Sequence, residues 1–215
     1  MKKITENINL KEIEKKTWRS TLEDGILDIY FGILVLGLGM GMTLSPVMPN
    51  PIDKFIPIIF IGIGLFFFLT AKKFITKPRL GVVKFGFKRK GRKLKTLIVL
   101  SINLLILLIL FLIRFTNPEL ILEFPGYLDG LILGLLFITA PVCFAAYFLQ
   151  YSRFYLSGLL VGLSFFLSDV FSIFIPEPFD TLIVYSLISG IIIIMGIVFL
   201  IKFLRKYPLS KEEMA

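Results

Sequence analysis

Three carboxylates and one guanidinium lie within or at the rim of long apolar stretches: Asp28, Asp129, Asp169 and Arg114. Gly158, Gly162, Phe165, Asp169 and Ser172 step by 4, 3, 4 and 3, so they share one face of a helix, with Ser164 and Ser168 beside it. A small and polar stripe on a lipid-bathed helix is expected to face other helices. Asp169 lies about 9 Å inside the end of its stretch, where an ionisable group costs on the order of 2.5–3.5 kcal/mol unless it has a partner or water. Two readings stay open: an ion or proton site in a cavity, or a pair with Arg114, about one turn from the same end. Asp28 sits about one turn inside the opposite end of its own stretch, to line a vestibule or meet a basic segment. The two carboxylates are therefore not expected to form a direct dyad.

Other chemistries are excluded by residue type. The chain has no His, which removes imidazole acid–base catalysis and His metal ligands. Its one cysteine, Cys143, removes intramolecular disulfides, CxxC pairs and Cys-rich metal sites. There is no GxSxG, HExxH or Walker loop. The string LDGLILG lacks the Ala-Arg continuation and the later aspartates of a CDP-alcohol phosphotransferase. No enzyme activity, cofactor or metal is expected.

The elements that must position these groups follow from composition. Of 215 residues, 56% are hydrophobic and only 18% charged, with a mean hydropathy of +0.87; soluble chains carry nearer 25% charge. The apolar residues fall into six blocks, near 25–45, 55–71, 96–116, 128–149, 154–175 and 181–201. Each matches a hydrocarbon core of about 30 Å at roughly 1.5 Å per residue, and none alternates as a barrel strand would. The expected fold is a single-domain, all-α bundle of six transmembrane helices. Segments 1–24, 72–95, 150–153 and 202–215 hold 22 of the 24 Lys and Arg residues. The positive-inside rule then places both termini and the 72–95 loop in the cytoplasm, so the net charge of +9 is first a topology signal.

The connecting segments carry further expectations. Residues 9–20, with Asn9 as N-cap and Trp18 on the apolar side, read as an interfacial amphipathic helix. Ser20 or Thr21 then caps the first span, with Glu23 and Asp24 in its first turn. The polar first 20 residues argue against a cleavable leader. Pro57 fits the first turn of the second span and Pro141 is expected to kink the fourth. The loop 72–95 carries eleven basic residues, among them Lys77, Arg79, Lys84, Lys88, Arg89, Lys90, Arg92 and Lys93. Val83, Phe85 and Phe87 alternate with Lys84 and Lys88, as in a short strand or hairpin laid on the membrane. Anionic phospholipid headgroups are its expected partner, in preference to nucleic acid, at about 1 kcal/mol per basic residue. A membrane partner protein or a second copy of the chain is the other candidate.

Glycine spacing supplies the packing surfaces: Gly37 and Gly41, Gly130 and Gly134 after Gly126, and Gly158 and Gly162. LEDGIL at the start of the first span and YLDGLI at the start of the fourth are alike, as in an inverted repeat of two three-helix halves. The strings TLEDGILDIYFG and TKPRLGVVKFGF resemble those of small multi-spanning membrane proteins of bacteria and archaea with no established activity. That resemblance implies a prokaryotic plasma-membrane protein in which the LEDG and PRLG segments meet as an acidic–basic contact. The functional expectation is a small transporter or channel-like protein for a cation, proton or small solute, with Asp28, Arg114, Asp129, Asp169 and Ser172 along the polar pathway. The alternative is a membrane scaffold or regulatory subunit that binds lipid or a partner through its basic loop.

Overall fold

In lipid every backbone N–H and C=O must be satisfied within the chain, and the apolar blocks do this as helices. The computed structural model describes residues 22–45, 48, 52–80, 87–116 and 127–208, and no strand occurs among them. Helix α1 (Ile26–Leu44) is followed by α2 (Ile52–Ala71), which continues through a π-helical turn at Lys72–Thr76 and a last α-helical turn at Lys77–Leu80. Then come α3 (Phe87–Thr116), α4 (Tyr127–Leu133), a π-helical segment Gly134–Thr139 and α5 (Ala140–Leu149), the last three forming one rod. Helices α6 (Arg153–Phe171) and α7 (Phe179–Lys206) complete the bundle. Five helical stretches are long and apolar enough to cross a membrane, and α3 contributes a shorter apolar stretch at Leu94–Leu110.

Several helix boundaries differ from those of the apolar blocks. Helix α2 runs past residue 71 to Leu80, and α3 starts at Phe87 rather than at 96. The helix therefore takes in Phe87 and Lys88, which were expected to alternate as a strand, because the basic run is itself helix-forming. Helix α6 stops at Phe171, before residue 175. Pro57 lies inside α2 rather than in its first turn, with its ring against Gly41 of α1. The amphipathic segment 9–20, the caps Ser20 and Thr21, and residues 81–86 with Lys84 fall outside the described residues.

Pro141 has a local solution. It follows the π-helical segment and, having no N–H, cannot bond the Phe137 carbonyl one turn back. Asn103 of α3 donates its side-chain amide to that carbonyl at 3.1 Å, which satisfies the freed acceptor and pins α3 to the rod.

Packing runs in the order α2–α1–α7–α6–(α4–α5)–α3. The apolar core lies where α1, α6 and α7 meet: Val35, Val161, Val184, Tyr185, Ile188 and Ile192. Glycines set the close approaches. Gly32 of α1 meets Ser189 and Ile193 of α7, while Gly134 of the rod meets the Gly162 backbone of α6. The outward faces of α2 and α3 are apolar, with Phe66 74% and Leu104 69% exposed. Apolar exteriors of this extent suit hydrocarbon rather than water.

Candidate functional site

Where α1 begins, four helices bring opposite charges together. Gly25 has a φ of 72°, a left-handed conformation that breaks the helix before Ile26 and turns Asp24 inward. The Asp24 side chain is wholly buried. One oxygen accepts the Ile26 N–H at 3.2 Å. The other accepts from Lys72 Nζ at 2.6 Å and from Thr76 Oγ1 at 2.5 Å. Capping of α1 is thus only part of the role of Asp24. The acidic–basic contact runs from LEDG to the π-helical turn of α2, and Arg79 of PRLG instead donates to the Ile75 carbonyl at 2.9 Å.

One turn further, Asp28 is equally buried. Its Oδ2 accepts from Arg153 Nη1 at 2.7 Å and from the Tyr151 hydroxyl at 2.6 Å. The partner of Asp28 therefore comes from the α5–α6 junction, not from the 72–95 segment. Arg153 also donates Nη2 to the Leu22 carbonyl at 3.2 Å. Its guanidinium stacks 3.9 Å from the Phe199 ring centroid of α7 and 4.8 Å from that of Tyr151. An aromatic sandwich suits the weakly hydrated guanidinium and holds its planar fork on the carboxylate. Burial, and then the Asp28 charge, push the Tyr151 phenol far above its ordinary range, so it stays a donor. Nearby, Lys206 and Glu23 form an exposed pair at 3.3 Å, a geometry that contributes little.

This cluster borders a cleft of about 440 Å³ whose lining includes Glu23, Tyr147, Gln150, Tyr151, Arg153 and Tyr155. Together the two buried pairs tie α1 to α2 through Lys72 and to α6 through Arg153, with Phe199 of α7 behind. Net stability gives little reason for two such pairs, since an apolar replacement of a whole buried pair is often close to neutral. Such a cluster is suited to hold helices in one arrangement and release them when a charge is neutralised.

At the other end of the bundle Asp169 and Asp129 come near one another, far from Asp28. Asp169 of α6 lies with its carboxylate against the Gly130 backbone of α4. Asp129 is half-buried in the first turn of α4. The side chain of Arg114, the expected counter-charge, lies outside the described residues, as do those of Lys88, Arg89, Lys90 and Lys93. Ser172 is exposed and donates to the Asp169 carbonyl at 2.7 Å, so it ends the helix and does not enter the interior. Instead Ser157, Ser164 and Ser168 are buried. Helix α6 thus has two working faces. Gly158 and Gly162 meet Val142 and Thr139 of the rod, with Thr139 donating to the Gly158 carbonyl at 3.0 Å. The serines face the other way, toward the core. On α1, Gly37 and Gly41 meet Phe60 and Pro57 of α2.

Tyr151 and Arg153 carry no sequence signal as binding groups, and Asp180 stands one residue outside the apolar block 181–201. Asp180 is 3% exposed and accepts from Ser168 at 3.3 Å and Thr181 at 3.4 Å. Its environment was not legible because Phe179, the first residue of α7, precedes the apolar block. Among the described residues no group of three or more His, Cys, Asp or Glu side chains could hold a metal ion. The chain matches no protein-family model, no curated protein and no solved structure.

Proposed function

We propose that the chain is a six-span protein of a prokaryotic plasma membrane, with both termini cytoplasmic, that moves a proton, cation or small solute. The observation that carries the reading is the double latch: Asp24 just before α1 and Asp28 in its first turn, both fully buried, held by Lys72 and Arg153 of two different helices. Ionisable groups inside a bundle mark pathways and switches more than scaffolding. The packing order adds support. Helix α1 packs on α2 and α7, and the α4–α5 rod packs on α6 and α3. Exchanging the first three spans with the last three maps one set of neighbours onto the other, the relation an inverted repeat produces. The basic end, which carries the latch, is the cytoplasmic end by the positive-inside rule.

The test is flux in proteoliposomes. Asp24→Asn with Lys72→Met removes the buried charge pair that ties the start of α1 to α2 while nearly keeping its volume, and should raise flux of the transported species over wild type. Absence of any proton, alkali-cation or small-solute flux in both proteins would exclude transport.

A second reading, anionic-lipid or partner binding, is favoured by one observation. Lys77 and Arg79 extend α2 beyond Ala71, and Lys88, Arg89, Lys90, Arg92 and Lys93 precede the apolar stretch of α3 at Leu94. Two basic helical ends thus emerge on the same side. Neutralising Lys88, Arg89, Lys90, Arg92 and Lys93 should weaken binding to anionic vesicles in a salt-dependent way, each charge being worth about 1 kcal/mol. Unchanged binding would remove this reading.

A further inference from the structure

Three polar atoms in or bordering the interface of α1, α6 and α7 are sealed from the surface and make no hydrogen bond with the protein, Asp28 Oδ1, Ser157 Oγ and Asp180 Oδ1, and the Tyr185 phenol oxygen is sealed among them beside Ser164. Buried polar groups without a protein partner are as a rule satisfied by internal water, and the four groups are spread from one end of the bundle to the other. Ser157 is one turn along α6 from Arg153, which holds Asp28. Ser164 follows, its hydroxyl donating to the Val161 carbonyl at 2.6 Å, beside the Tyr185 phenol of α7. Ser168 comes next, bonded to Asp180 at 3.3 Å and to Thr181 at 2.9 Å. From Ser157 to Ser168 this file rises about 16 Å along α6. At the basic end Tyr151 joins it to the cleft through its bond to Asp28.

Between Ser157 and Tyr185 the file is interrupted by Val35, Val161, Ile188 and Ile192, all buried and in one cluster. The helices are also too close here for a hydrated metal cation: the Gly39 Cα of α1 lies directly against the Tyr185 side chain of α7.

We propose that this interface is a proton path, from Asp180 at one face to Asp28 and Tyr151 at the other, with the Val35–Val161–Ile188–Ile192 plug as its gate. It rests on the transport reading and narrows the transported species to the proton. Each transfer breaks one O–H bond and forms another along water and hydroxyl groups. The net event is one proton taken from one bulk phase and released to the other, driven by the proton gradient. The plug stops transfer while dry and permits it when wetted, as apolar constrictions do in channels.

The test uses proteoliposomes with an internal pH dye and a valinomycin-set potassium potential, and measures sodium and small-solute flux in the same vesicles. Wild type should acidify the lumen, and Val161→Ser, which makes the plug polar, should speed this by about tenfold. Asp180→Asn and Tyr185→Phe in the Val161→Ser chain should each slow it by about tenfold or more, with size-exclusion profiles unchanged. Sodium or solute flux without proton uptake would overturn the proton path but keep transport. No flux of any kind in wild type and Val161→Ser would overturn both. Asp180→Asn as fast as its parent would also overturn the path.

Discussion

Arg153→Leu destabilises the protein by about 3–5 kcal/mol, because the truncation leaves Asp28 charged, buried and without a base. Asp28 has no exposed surface through which water could replace the guanidinium. The variant also loses the stacking on Phe199 and the bond to the Leu22 carbonyl. Denaturant unfolding in detergent micelles measures the loss. Adding Asp28→Leu to Arg153→Leu should recover most of it, since the paired removal leaves no orphaned charge, and the residual deficit should fall to about 1–2 kcal/mol. Arg153→Leu alone within experimental error of wild type would show that the pair does not hold α1 to α6.

Gly25→Ala is the second large effect. A methyl group at this position meets the Gly196 carbonyl and lies 2.9 Å from the Leu200 amide, both backbone atoms of α7 that no rotamer change can move. The left-handed φ of 72° adds about 1–2 kcal/mol for an L side chain, and the forced separation of α1 from α7 about 1–3 kcal/mol. The same unfolding assay should therefore show a loss of about 2–5 kcal/mol. Gly62→Ala is the internal control. Nothing lies within 4 Å of its added methyl, and alanine in a helix interior is about 0.5–1 kcal/mol better than glycine. Equal effects at the two positions would contradict the close α1–α7 contact at Gly25.

What the sequence made legible was set by periodicity and composition. The apolar blocks mark where the helices lie, because the bilayer leaves the backbone no other solution. Their ends were less legible, since Lys77–Leu80 and Phe87–Lys93 are polar enough to read as loop yet form helix readily once an apolar helix nucleates them. The partner of Asp28 was not legible at all. Tyr151 and Arg153 lie among the four residues 150–153 between two apolar blocks, and only the packing of α6 against α1 brings them to a carboxylate more than 120 positions away. Asp24 looked like a cap, and its second oxygen meets Lys72 and Thr76, the first and last residues of the π-helical turn, only through the packing of α2 on α1. The double character of α6 was half visible. Its glycine stripe could be counted, but the serine face had to be seen against α7.

On the proposed function, the Asp24–Lys72 and Asp28–Arg153 pairs close the basic end of the bundle. The most direct measurement is thiol labelling of Ser157→Cys, in a Cys143→Ser background, by a membrane-impermeant reagent applied from the basic side. Ser157 is fully buried one turn inside Arg153. With the pairs intact, labelling should be slow. With Asp28→Asn and Arg153→Gln it should accelerate by about tenfold or more, as local opening exposes the site. Equal rates in the two backgrounds would contradict the closure.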